Sequence, residues 1–154
     1  MNPEAQAIPM NILLADDDTD DRFFFTRALK EIPIATHLTT VHDGEQLMIY
    51  LSGNPEHLPD VIFLDINMPR KNGFECVSEI KENKLLKDIF VVMFSTFYSR
   101  YIDYEQEMIK KLHDIGVDDF IRKPHNFEQL KQVILNVLIP VTEKKMLKKP
   151  EKKL

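Results

Sequence analysis

Five side chains in this sequence, Asp16, Asp17, Asp65, Ser95 and Lys123, have types and positions that suit one shared chemistry. Each stands at or just past the end of a short segment expected to be a strand. Crowded carboxylates repel one another, so an unbalanced cluster raises at least one pKa. A hard divalent cation relieves that repulsion. Mg²⁺ takes oxygen ligands, keeps several waters, and pairs with one or two carboxylates plus a phosphate. Within such a metal set Asp17 and Asp65 suit direct ligands and Asp16 suits holding a metal-bound water. The backbone carbonyl of Asn67 can complete it. Ser95 and Lys123 are donors suited to phosphoryl oxygens. A carboxylate can also be the nucleophile that accepts a phosphoryl group as an aspartyl phosphate, and Asp65, at the centre of the set, is the best placed.

Gathering these residues requires a particular scaffold. Residues 11–15, 36–41, 61–64 and 89–94 are mostly apolar or β-branched and are expected to be strands, with 117–122 as a fifth. Between them lie segments with helical spacing. Residues 19–31 carry Phe23, Phe24, Ala28 and Leu29 as an apolar stripe, and Pro33 stops them. A helix starts at Asp43, with Gln46 in the capping-box position, and ends at Gly53-Asn54-Pro55. Residues 74–82 and 99–115 form the next two helices, the latter closed by Gly116. Asn126 caps the last, whose stripe runs from Phe127 to Leu138 and which Pro140 is expected to end. Five strands alternating with five helices imply an α/β fold with a parallel sheet covered on both faces. In such open sheets ligands bind beyond the carboxyl ends of the strands, where the five residues stand.

Composition narrows the function classes. The chain has 154 residues, suited to one domain, and no run of apolar residues long enough to span a membrane. The first ten residues contain no Lys or Arg and no long apolar core, unlike a secretory signal. One cysteine, Cys76, excludes an internal disulfide framework and a Cys-based zinc site. A cytoplasmic location is expected. Residues 141–154 hold six Lys and two Glu, while the other 140 residues hold 14 basic and 23 acidic side chains. An acidic body argues against DNA binding, which needs a basic face.

Four stretches then carry a resemblance. Ile12-Leu13-Leu14-Ala15-Asp16-Asp17, Val61-Ile62-Phe63-Leu64-Asp65-Ile66-Asn67-Met68-Pro69, Val91-Val92-Met93-Phe94-Ser95-Thr96 and Ile121-Arg122-Lys123-Pro124 resemble the signature set of response-regulator receiver domains of two-component signalling. Each motif alone is weak; in order and at strand ends they are specific. The resemblance spans roughly residues 10–139, leaving an N-terminal extension of 1–9 and a lysine-rich tail of 140–154. It implies a flavodoxin-like, doubly wound (βα)5 fold with strand order 2-1-3-4-5. It also implies that a histidine kinase or histidine phosphotransfer protein donates a phosphoryl group to Asp65 with Mg²⁺ bound. Ser95 and Lys123 would then engage the phosphoryl group, catalysis being limited to the chain's own phosphotransfer and dephosphorylation. Phe120 takes the place of the aromatic switch residue, where many members have Tyr. The output surface would be helix 4, strand 5 and helix 5, binding a downstream protein, with a phosphorylation-dependent homodimer as a further form. The family commonly has a cis peptide between the residues matching Lys123 and Pro124.

The chain also departs from the pattern. Ser95 stands where Thr is commoner, and Thr96 where a small residue is frequent; Thr96 is the alternative switch residue. Ser95 and Lys123 are 28 positions apart, more than the pattern holds, and the surplus falls in 97–107 with Tyr98, Tyr101 and Tyr104. Those tyrosines fit either a partner surface or packing on the sheet. Asp18, Asp20 and Asp21 read as helix-dipole acids; the run is no EF-hand, because Asp21 and Arg27 stand where Gly and Glu are required. The five histidines lack metal spacing, Cys76 reads as a buried inert thiol, and the tail as solvated, with its helical state left open. With only 14 residues after Pro140, a stand-alone receiver is expected. Two other functions compete: a phosphohydrolase of the haloacid dehalogenase type, whose acidic motifs match poorly, and a scaffold that works without phosphorylation.

Overall fold

The computed structural model describes residues 8–96 and 102–148, with the side chains of 102–105 and 148 outside that description. Ten elements alternate: β1 (Met10–Ala15), α1 (Thr19–Lys30), β2 (Thr36–Val41), α2 (Gly44–Gly53), β3 (Val61–Leu64), α3 (Gly73–Glu82), β4 (Phe90–Ser95), α4 (Ile102–Ile115), β5 (Asp119–Arg122) and α5 (Phe127–Lys148). The five strands form one parallel sheet in the order β2-β1-β3-β4-β5. This is the flavodoxin-like doubly wound fold expected, with β1 and β3 side by side at the reversal of strand order.

Alternation along the strands builds two cores. Leu13, Ala15, Ile62, Leu64, Val91 and Met93 face α2, α3 and α4. Met10, Ile12, Leu14, Val61, Phe63, Val92 and Phe94 face α1 and α5. Because both faces are covered, the central strands are continuous apolar runs rather than alternating ones.

Four expectations need correction. The stripe of α1 runs through Phe25, Ala28 and Leu29, which are buried, whereas Phe23 and Phe24 are 56% and 45% exposed. Three consecutive phenylalanines make the helical phase ambiguous in sequence. The sheet resolves it, since Phe25 packs edge-on against Phe63 and Phe94 at centroid distances of 4.9 and 5.9 Å.

Pro140 does not end α5, which continues to Lys148 with Pro140 inside it. Proline lacks one helical N–H and crowds the preceding turn. What lies beyond compensates: Val141 packs against the α1/α5 core, and Lys145 Nζ lies 2.8 Å from Asp60 Oδ2 and 3.4 Å from the carbonyl of Pro9. Lys145 is therefore docked where the tail is expected to be solvated.

The peptide between Lys123 and Pro124 is trans. Strand and helix limits elsewhere shift by a residue or two, within the fraying of element ends, and the expected first residues of the fourth helix, 99–101, lie outside the described residues. Tyr98 and Tyr101 lie outside the described residues. Tyr104 lies in α4 with its side chain outside them, so neither reading of the tyrosines is decided.

Candidate functional site

Strand register brings the five side chains together. Ala15 pairs with Leu64 and Leu64 with Met93, so the residues that follow leave the sheet at one edge. The backbone ladder continues one step past the strands. Asp16 N donates to the Val41 carbonyl at 3.1 Å, Asp65 N to that of Ala15 at 3.0 Å, and Lys123 N to that of Ser95 at 3.0 Å. The backbone of Asp16, Asp65 and Lys123 is thus held by hydrogen bonds that continue the sheet itself.

Asp65 is the hub. Ser95 Oγ donates to its Oδ1 at 2.7 Å, and Lys123 Nζ donates to its Oδ2 at 3.1 Å. The backbone N–H of Asn67 also reaches Oδ1, at 3.2 Å. Asp65 and Ser95 are buried. Lys123 donates further to Asp16 Oδ2 at 2.7 Å and to Asp21 Oδ2 at 2.8 Å. Asp16, 1% exposed, also accepts from the N–H of Asp18 at 2.9 Å, and its backbone carbonyl accepts from Arg22 Nη1 at 2.8 Å.

The charges do not balance. One ammonium faces Asp16, Asp21 and Asp65, and Asp17 adds a fourth acid. Burial pushes the Asp16 carboxyl up to about 6, against the hydrogen bond and charge of Lys123. Burial also works against the Lys123 ammonium, but the charge of Asp65 and the contacts to Asp16 and Asp21 outweigh it and raise that pKa. Carboxylate oxygens of Asp16, Asp17 and Asp65 lie within 4.8 Å of one another. Three hard oxygen donors with surplus negative charge fit a divalent cation such as Mg²⁺.

The loop that follows β3 is pinned close to this cluster. Gly73 N donates to the Ile66 carbonyl at 2.8 Å, and a Cβ on Gly73 would stand 2.5 Å from the Asp65 carbonyl, so only glycine fits there. Arg70 takes the left-handed conformation, φ 68°, which is costly for a residue with a Cβ. In that pose its Nη1 donates to Asp43 Oδ2 at 2.9 Å, tying the loop to the start of α2. Asn72 and Glu75 close a capping box on α3.

The remaining sequence candidates fall into place less centrally. Thr96 is half-buried, and its carbonyl lies 3.4 Å from Ser95 Oγ. Phe120 is half-buried against the core beneath α2, α3 and α4. Cys76 is buried, its thiol pushed up to about 12 by desolvation. Gln46 Oε1 accepts from His42 N rather than from Asp43 N, while Gln129 N donates to Asn126 Oδ1 as expected.

Asp21 reads in sequence as a helix-dipole acid, yet it binds Lys123. Sequence carries little signal for this, because 102 residues separate the pair. The one hint is its place a single helical turn after Asp18, whose side chain accepts from Asp21 N and caps α1. Arg22 carries no comparable sign.

Comparison with known proteins agrees with this geometry. Residues 12–135 match the response regulator receiver domain family. The chain is 30% identical over 133 residues to the response regulator Rcp1 of Synechocystis sp. (strain ATCC 27184 / PCC 6803 / Kazusa), covering 84% of this chain and 86% of that protein. It is 27% identical over 129 residues to the probable methanogenesis regulatory protein FilR2 of Methanothrix harundinacea (strain 6Ac), covering 82% and 79% respectively. Among solved structures, the phosphorylated cyanobacterial phytochrome response regulator RcpA superposes with a TM-score of 0.74 at 31% identity, over 84% of this chain and 91% of that one. The Mn²⁺-bound form of Rcp1 gives 0.72 at 28% identity, with the same coverage. Receiver domains hold Mg²⁺ or Mn²⁺ in an acidic pocket and are signalling domains rather than ordinary enzymes. No helix among the described residues is long and apolar enough to cross a membrane. With the family match spanning most of its length and an acidic cluster at the expected strand ends, the chain belongs to the response regulator receiver domains of two-component signalling.

Proposed function

We propose that this chain is a single-domain response regulator whose Asp65 accepts a phosphoryl group from a histidine kinase or histidine phosphotransfer protein. The observation that carries the reading is the pair of donors on one carboxylate. Ser95 Oγ addresses Oδ1 and Lys123 Nζ addresses Oδ2, which orients Asp65 and places a hydroxyl and an ammonium where phosphoryl oxygens would arrive.

In the reaction an Asp65 oxygen attacks phosphorus, the bond from phosphorus to the donor's imidazole nitrogen breaks, and the electron pair leaves with that nitrogen. Asp16, Asp17, Asp65 and the backbone carbonyl of Asn67 would hold Mg²⁺, which when bound neutralises charge on the transferring group. Lys123 carries the balancing protein charge and Ser95 donates to the phosphoryl group. Thr96 flanks the acceptor and is the second choice for the switching hydroxyl. Phe120 is assigned as the aromatic residue that follows Ser95 when the state changes. The switched face is α4, β5 and α5, read by a downstream protein or by a second copy of this chain, and not by DNA or a membrane. Residues 10–139 make up the receiver, with 1–9 and 140–154 as extensions, acting in the cytoplasm.

The test is mass spectrometry after incubation with phosphoramidate and Mg²⁺. Wild type should gain one phosphoryl group, about 80 Da, on an aspartyl phosphate. Absence of that species, or equal yield from Asp65→Ala, would refute the reading.

A further inference from the structure

We propose that Asp21 is a positioning residue for this chemistry: it competes with the phosphoryl group for the Lys123 ammonium and so shortens the life of the phosphorylated state. The inference rests on the reading of Asp65 as phosphoacceptor and adds a residue outside the metal-binding and phosphoryl-binding sets.

A lysine ammonium has three protons to donate. Here all three have partners: Asp16 Oδ2 at 2.7 Å, Asp21 Oδ2 at 2.8 Å and Asp65 Oδ2 at 3.1 Å. The contact to the acceptor is the longest, so the ammonium sits closer to the other two acids. A phosphoryl group arriving on Asp65 inherits the one N–H aimed at that carboxylate, the longest of the three contacts, and any closer approach of the ammonium is resisted by its bonds to Asp16 and Asp21.

Asp16 is buried and belongs to the acids that would face the cation. Asp21 is not part of that set, and its side chain is 40% exposed. It stands in the first turn of α1 beside a cleft of about 230 Å³ that also touches Lys123 and Pro124. Its carboxylate therefore persists as a rival anion after the metal set is filled. It holds part of the ammonium's charge away from the phosphoryl oxygens and repels them directly.

A general helix-dipole role would apply equally to Asp20, which shares that first turn. Asp20 therefore serves as the control, since no ion pair joins it to Lys123 among the described residues.

The experiment titrates the full chain with beryllofluoride in saturating Mg²⁺, followed by fluorine NMR. The ¹⁵Nζ resonance of Lys123 is recorded in parallel, and the lifetime of the species made with phosphoramidate is measured. Asp21→Asn and Asp21→Ser should bind beryllofluoride about three- to tenfold more tightly and hold the phosphoryl group correspondingly longer. The Lys123 resonance should shift before any ligand is added. Asp21→Glu and Asp20→Asn should behave as wild type. If the two neutral variants bind beryllofluoride no better than Asp20→Asn, or disagree with each other, the proposal is wrong while the phosphoacceptor reading stands. If wild type itself takes up neither group, that reading fails and the proposal with it.

Discussion

The hydroxyl of Ser95 lies 2.7 Å from Oδ1 of Asp65, although 30 residues separate them in the chain. Both side chains are buried at the ends of neighbouring strands, so this bond sets the rotamer of the acceptor before any phosphoryl group arrives. Ser95→Ala should cost about 1.5–3 kcal/mol in urea unfolding, the ordinary loss for a hydrogen bond to a charged group. It should also slow phosphoryl uptake from phosphoramidate. Ser95→Thr should restore both, because it keeps the hydroxyl.

Lys123 is the counter-charge for three carboxylates, with its side chain only 10% exposed. Lys123→Met should destabilise the metal-free protein by about 3 kcal/mol at pH 7, as expected when one member of a buried ion pair is removed. The loss should shrink on acidification toward pH 5, where protonation of Asp16 removes one of the orphaned charges. Urea midpoints at the two pH values decide it; an equal loss at both would mean that the acids are not what Lys123 stabilises.

Asp16 gives a pH dependence of a definite sign. Its folded pKa, pushed to about 6 by burial, exceeds the unfolded value, so the folded state binds the proton more tightly. Its contribution to stability is greatest below about pH 4, declines as pH rises toward 6, and is flat above. In EDTA, Asp16→Asn should therefore stabilise the protein by about 1–3 kcal/mol at pH 7 and by little at pH 4. Mg²⁺ should reverse the order, stabilising wild type by about 2.7 kcal/mol at one hundred times its Kd and the variant by less. Thermal melts with and without the ion measure both effects.

Phe24 and Phe25 are adjacent in sequence and opposite in role. Phe25 is fully buried and meets the rings of Phe63 and Phe94, so Phe25→Ala should cost about 3–5 kcal/mol. Phe24→Ala, at an exposed position, should stay within about 0.5 kcal/mol. Chemical denaturation of the pair tests the phase of α1.

The end of α5 is tied to a distant residue, Asp60. Pro140→Ala should raise stability by up to about 3 kcal/mol, because it restores a helical N–H at an exposed site. Lys145→Ala breaks the partly exposed pair with Asp60 and should change global stability by under about 1 kcal/mol. Amide exchange over 141–148 should nevertheless accelerate. Protection unchanged there would show that the Asp60 contact does not hold the helix.

Much of the site is legible in the sequence because its residues sit at strand ends. Apolar runs closed by Asp16, Asp65 and Ser95, and a fifth strand followed by Lys123, mark where chemistry must gather once the strands are parallel. Asp43 and Asn126 are readable as caps for the same local reason, since a cap and its N–H lie within one turn. Other features are not local. The phase of α1 depends on which phenylalanine the sheet accepts, and three in a row satisfy the helical period almost equally. The continuation of α5 past Pro140 comes with Val141 packed on the core and Lys145 on Asp60, 85 residues away, whereas local preference alone predicts a stop.

Asp21 marks the division most clearly. The sequence by itself determined that acids, a hydroxyl and a lysine would meet at the carboxyl edge of a parallel sheet, because strands alternating with helices run parallel and bring their carboxyl ends to one edge. Only the tertiary structure decided how the single ammonium is shared. Lys123 has three protons, and which anions receive them depends on where α1 lies against the sheet. The packing of Phe25, Ala28 and Leu29 sets that position, and no spacing along the chain encodes it.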